Sequence, residues 1–105
     1  MKYNRDFKYL YRKGKSVGAK HLVMYCRKGA RGQNILGITV TKKLGNAVVR
    51  NRIRRLIRES YRAYEDSMAL GYKIVVVARS AAVGADFCAV KRDMQYLLKK
   101  SGIIS

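Results

Sequence analysis

Apolar and polar positions change period several times along this chain, and each change marks an element. In NRDFKYLYRK, Phe7, Leu10 and Tyr11 recur at i, i+3 and i+4. That spacing predicts a short helix with one apolar face, ended by Gly14. HLVMYC, from His21, alternates weakly and is rich in strand formers. The polar, glycine-containing KGARGQN after it reads as a loop of hairpin type. In ILGITVT, Ile38 and Val40 point one way and Thr39 and Thr41 the other, as in a strand with two unlike faces. KIVVVAR is nearly continuous in apolar residues, which predicts a central strand covered on both sides.

Two longer helices complete the pattern. From Ala47 onward, Val49, Ile53, Leu56, Ile57, Ser60 and Tyr64 gather on one side at about 100° per residue. Gly45 supplies the turn before this helix and Asn46 its N-cap, although Val49 at the third position after the cap leaves no capping box. The last helix starts near Asp86, buries Val90, Met94, Leu97 and Leu98, and ends at Gly102. The order is helix, strands, long helix, strand, helix, an α+β or α/β sandwich of one domain over residues 1–105. Periodicity leaves open whether ILGITVT and KIVVVAR lie parallel and adjacent.

Charge changes the picture most. The chain carries 24 Lys+Arg against 6 Asp+Glu, a formal net charge of +18. Self-repulsion at that level opposes compaction, and a polyanionic partner relieves it. Nucleic acid is the first such partner and an anionic membrane surface the second. A hydrophobic fraction of 49% supports a core, which argues against wholesale disorder. The opening MKYNRDFKYLYRKGK has no apolar signal-peptide segment, and the longest apolar run, IVVVA, is strand length. Cys26 and Cys88 stand far apart in no metal-like spacing, so both are expected to be reduced, as in a cytoplasmic protein. His21 is the single histidine and has no second one to pair with.

The charge concentrates in RNRIRRLIR, Arg50 to Arg58, where five of nine residues are arginine. Arg50, Arg54, Arg58 and Arg62 follow one another at i+4 beside the apolar face, and Arg52 and Arg55 widen the stripe. A basic tail would lack that apolar face. A merely solvated helix face would mix its signs, whereas here Glu59 is the only acid. Like charges at i+4 cost a few tenths of a kcal/mol per pair, so the stripe is assembled against its own repulsion. Backbone phosphates would neutralise it, and the planar arginine fork suits them. Composition does not choose between DNA and RNA. A strand rather than a helix leads into the stripe through KKLG, which counts against a helix-turn-helix. Phe7, Tyr11 and Tyr25 are candidates for stacking on single-stranded bases, although each taken singly reads better as core.

TKKLGNAVVRNRIRRLIRESYR closely resembles the signature of the bacterial ribonuclease P protein subunit, with its RNR motif at Arg50-Asn51-Arg52. DFKYLYRKGKS is similar to the family's first helix, YKIVVVAR to its late strand and MQYLLKK to its last helix. The likeness therefore runs over nearly the whole chain. Two details differ: few basic residues precede the first helix, and Tyr11 stands where the family often has Phe. The resemblance implies a two-layer sandwich with a roughly four-stranded mixed sheet. Helices are expected at the N-terminus, centre and C-terminus, with a left-handed strand-helix-strand crossover that handedness rules alone would not predict.

The resemblance also implies a function. The catalytic centre would be an RNA with bound Mg²⁺, and the protein its partner in cutting the 5′ leader from precursor tRNA. The residues expected to face the RNA are Lys42, Lys43, Arg50, Asn51, Arg52, Arg54, Arg55 and Arg58. The expected leader cleft comprises Phe7, Tyr11, Tyr25, Thr39 and Thr41. No DNA and no membrane partner is expected, and no catalytic or metal-binding residue of the protein itself. The acids Asp6, Glu59, Glu65, Asp66, Asp86 and Asp93 are scattered and form no evident catalytic pair. A structural ribosomal RNA-binding protein and a DNA-binding regulator remain the rival readings.

Overall fold

The computed structural model describes residues 15–29 and 32–104. The expected first helix, with Phe7, Leu10 and Tyr11, lies outside the described residues, as do Ala30 and Arg31 of the KGARGQN loop. The described residues form strands β1 (Lys15–Gly18), β2 (Leu22–Lys28), β3 (Ile35–Thr39) and β4 (Tyr72–Ala78). They also form helices α1 (Ala47–Arg62) and α2 (Phe87–Lys100). The strands make one mixed sheet in the order β1-β2-β4-β3. β1 and β2 are antiparallel, as are β2 and β4, whereas β3 runs parallel to β4. The strand-helix-strand unit β3-α1-β4 thus joins two adjacent parallel strands, the relation that periodicity left open.

The KGARGQN expectation is corrected. β2 and β3 do not pair across it, because β4 is inserted between them. The hairpin lies one connection earlier, between β1 and β2, where Ala19 N–H donates to Leu22 O at 2.8 Å. The ends of KGARGQN are instead stitched to the start of β4: Gly29 N–H donates to Gly71 O at 3.0 Å and Gly71 N–H to Gln33 O at 3.2 Å. β4 takes the inner position because its side chains are apolar on both faces. Ile74 and Val76 are buried on one face and Val75 on the other.

Both helices pack on the face carrying Leu22, Met24 and Cys26 of β2 and Ile74, Val76 and Ala78 of β4. α1 contributes Ile53 and Ile57, and α2 contributes Val90, Met94, Leu97 and Leu98, as the periodicity predicts. Tyr61 is also buried and was not anticipated, whereas Tyr64 lies beyond the helix end and is half-buried against the core. Each large side chain so buried is worth about 1.5–3 kcal/mol of transfer free energy. Ser60 is buried within α1 and satisfied locally, its hydroxyl donating to Ile57 O at 2.9 Å.

The caps fall where the sequence puts them. The Asn46 side chain accepts from Val49 N–H at 3.0 Å and that of Asp86 from Ala89 N–H at 2.8 Å. Beyond α2, Gly102 adopts φ 78°, and Ile103 N–H returns to Leu98 O at 3.0 Å, closing the helix and burying Ile103. Both cysteines are free, Cys26 in the core and Cys88 exposed. Among the described residues no helix is long and apolar enough to cross a membrane.

Candidate nucleic-acid interface

Because β3 and β4 are parallel and each leads into a helix, α1 and α2 both begin at the end of the sheet where those strands stop. Two helix N-termini, each a locus of partial positive charge, therefore share one end of the molecule. Neither helix has an acid in its first turn. The stripe begins near that end with Arg50 and Arg52 and runs along α1 to Arg58 and Arg62 in its last turns.

Lys42 and Lys43 are exposed on a single 3-10 turn, Lys42–Leu44, between β3 and α1. Gly45 follows at φ 146°, a conformation that disfavours any side chain, and a Cβ there would lie 3.0 Å from Val49 Cβ. The turn therefore hands the chain directly into α1. Along α1, Arg50 and Arg54 are half-buried, and Asn51, Arg52, Arg55, Arg58 and Arg62 are exposed. Among the described residues no carboxylate pairs with any arginine of the stripe. Asp93 Oδ2 lies instead 2.8 Å from His21 Nδ1.

The RNR side chains are not equivalent. Arg52 Nη2 donates to Ala85 O at 2.8 Å, bracing the loop that precedes α2. Asn51 Oδ1 accepts from Arg54 Nη1 at 3.1 Å and so orients that guanidinium. Arg50 Nε is buried without an acceptor, while the rest of its side chain reaches half-exposed surface. A buried guanidinium nitrogen left without a partner carries a desolvation cost.

The opposite face of the sheet holds the second group of candidates. Across the strands, Ser16 pairs with Tyr25, Tyr25 with Val75 and Val75 with Gly37. The next register row runs Gly18, Val23, Val77 and Thr39. Tyr25 and Thr39 thus share the face turned away from α1 and α2, and both are half-buried. Thr41 lies two residues past the end of β3, still in extended backbone. The strand stops at Thr39, Val40 is buried, and Thr41 is an exposed cap whose carbonyl accepts from Leu44 N–H at 3.1 Å. Strand pairing ends at Thr39, while Val40 buried and Thr41 exposed continue the alternation of ILGITVT. Phe7 and Tyr11 lie outside the described residues.

Sequence reasoning missed Arg27 and Lys73, which pair in register on the Tyr25 face. The alternation Val23, Tyr25, Arg27 carried that signal for the first of them. It also missed Arg79, whose Nη1 donates to Ala19 O at 2.9 Å and ties the β1–β2 turn to the end of β4. His21 sits beside it. Asp93 Oδ2 accepts from His21 N–H at 2.7 Å and lies 2.8 Å from its Nδ1, so the histidine joins that turn to α2. Asp86 is committed to a cap and Asp93 to His21. Among the described residues no three His, Cys, Asp or Glu side chains gather as a metal site.

Comparison with known proteins accounts for this arrangement. The family model described as Ribonuclease P matches residues 1–102. The ribonuclease P protein component of Clostridium botulinum is 42% identical over 101 residues, covering 95% of this chain and 91% of the relative. The solved RNase P protein of Staphylococcus aureus superposes with a TM-score of 0.87 at 34% identity, over 100% of this chain and 96% of that one. The RNase P protein of Thermotoga maritima gives 0.86 at 32% identity, over 95% and 94%. With the RNR helix, the mixed sheet and the whole-length match in agreement, the chain belongs to the ribonuclease P protein family.

Proposed function

We propose that this chain is the protein subunit of a ribonuclease P that removes the 5′ leader of precursor tRNA in the cytoplasm, with the catalytic centre in an RNA subunit. The observation that carries this reading is the arginine stripe along α1, which no carboxylate among the described residues neutralises. Phosphates of the RNA subunit would meet Lys42, Lys43, Arg50, Arg54, Arg55 and Arg58. Asn51 would hold Arg54 in its pose and Arg52 would hold α1 to the start of α2. The Tyr25 and Thr39 face would take the single-stranded leader, a ring for a base and a small hydroxyl for a phosphate or base edge.

The protein acts here by position and charge. It offsets repulsion between two polyanions and holds the substrate near the RNA. Mg²⁺ would belong to the RNA: the described carboxylates are dispersed or already engaged and do not fit a protein-held site. The protein alone is expected to cleave nothing.

Reconstitution tests this. The purified chain is mixed with a bacterial ribonuclease P RNA and a precursor tRNA at low Mg²⁺. Cleavage that requires both protein and RNA is the expected result. An RNA that cleaves alone at high Mg²⁺, with a requirement the folded protein never lowers, would sink the proposal and favour a ribosomal-type RNA-binding role.

A further inference from the structure

Phe87 is the first residue of α2 and stands in phase with Val90, Met94 and Leu97, yet it overhangs the core and is 36% exposed. About a third of the residue is therefore left open to solvent. Two neighbours give it another use. Lys91, one turn on, places Nζ 5.9 Å from the ring centroid. Ala85, two residues before the ring, is the carbonyl that Arg52 of the RNR motif holds at 2.8 Å. The ring therefore follows directly on the loop that Arg52 holds, with the Lys91 ammonium over it. The nearest acid, Asp86, already accepts from Ala89 N–H as the helix cap.

From this geometry we infer that Phe87 is a stacking platform for an unpaired base of the ribonuclease P RNA, with Lys91 on the adjoining phosphate. A base offers a flat π face and its backbone an anion, which match an aromatic ring flanked by a cation. The occupant is the RNA subunit rather than the leader. Phe87 belongs to the helix layer, whereas Tyr25 and Thr39 lie on the opposite face of the sheet. The inference rests on the proposed function and names a contact outside the arginine stripe and outside the sheet face.

The test uses the full chain. The protein contains no tryptophan, so Phe87→Trp introduces a unique fluorophore. Its emission is expected to be quenched when a ribonuclease P RNA transcript is added, with no further change on adding precursor tRNA. Phe87→Ala and Phe87→Leu should each weaken binding of the transcript about tenfold. Because no phosphate contact is lost, the dependence of binding on salt should keep its wild-type slope. Phe87→Leu preserves apolar bulk, so an effect through helix packing alone would leave its affinity at the wild-type value. Unchanged emission with unchanged affinities would overturn the inference while wild-type reconstitution still upheld the function. Quenching that appears only with precursor tRNA would overturn the assignment to the RNA subunit. A wild-type chain that fails to bind the transcript would remove both.

Discussion

Arg52 Nη2 donates to the carbonyl of Ala85 at 2.8 Å, so the last arginine of the RNR motif spans from α1 to the loop that starts α2. The bond joins the beginnings of the two helices, whose N-termini create the positive end of the molecule. One arginine of a binding motif is thereby engaged in architecture, and its neighbours project from the frame it steadies.

Arg52→Ala should therefore lower stability as well as binding. On a residue as exposed as Arg52 this bond is worth about 1 kcal/mol net, the value of an ordinary hydrogen bond. For a domain of this size that is a fall in Tm of roughly 4–8 °C. Arg55→Ala, on an exposed residue with no protein partner among the described residues, should leave Tm unchanged. Thermal melts of the two free proteins decide it; equal Tm values would show that the Ala85 bond carries no stability.

Arg54 and Arg58 should act on the partner instead. Replacing both with Ala is expected to weaken RNA binding and flatten its salt dependence by about one slope unit per lost phosphate contact. Asn51→Ala releases Arg54 from its 3.1 Å bond and should weaken binding less, with the slope nearly kept. Affinities measured across a salt series separate the two effects. A wild-type slope in the double variant would mean that these arginines do not meet phosphate.

Gly45→Ala should destabilise the fold by about 1–3 kcal/mol, the usual range for a side chain forced into a disfavoured backbone region. Here φ is 146° and the added Cβ would sit 3.0 Å from both Cβ and Cγ1 of Val49. Trimming the obstacle in a Gly45→Ala, Val49→Ala protein relieves the contact but leaves the backbone conformation in place. Its urea midpoint should stay below that of Val49→Ala alone. Identical midpoints would locate the whole cost in the Val49 contact.

Tyr61 should be slow to ionise. Burial, with Glu65 nearby adding repulsion, pushes its phenol from 10.0 up to about 12. The unfolded chain releases this proton near 10 and the folded one near 12, so the unfolded state binds fewer protons between those values. The stability linked to this group is then complete below pH 10 and is lost as pH rises towards 12. Tyrosinate absorbance should show one phenol titrating last, and Tyr61→Phe should remove that step. A wild-type titration with no such late phenol would contradict the burial of this ring.

Much of this was legible in the pattern, for local reasons. Asn46 and Asp86 cap their helices because a short oxygen-bearing side chain before an amphipathic run satisfies a free N–H wherever the helix goes. KIVVVAR became the central strand because only a site covered on both faces accepts so continuous an apolar run. The arginine stripe could be placed on α1 from i+4 spacing alone. The misreadings have physical causes too. Alternation carried the strand to Thr41, and pairing with β4 stops two residues earlier, at Thr39. A glycine-rich loop between two strand-like segments resembled a hairpin, and β4 took the place between them.

The sequence by itself determined the three longer strands, the two helices α1 and α2, their core faces, the strongly basic character and the family, because each is written in residue type and local spacing. Only the tertiary structure decided that Arg52 braces Ala85, that Arg79 ties the β1–β2 turn to the end of β4, and that part of Phe87 is left outside the core. Those relations join residues of different elements or depend on where the core ends. They were settled when parallel β3 and β4 brought the starts of both helices to one end of the sheet.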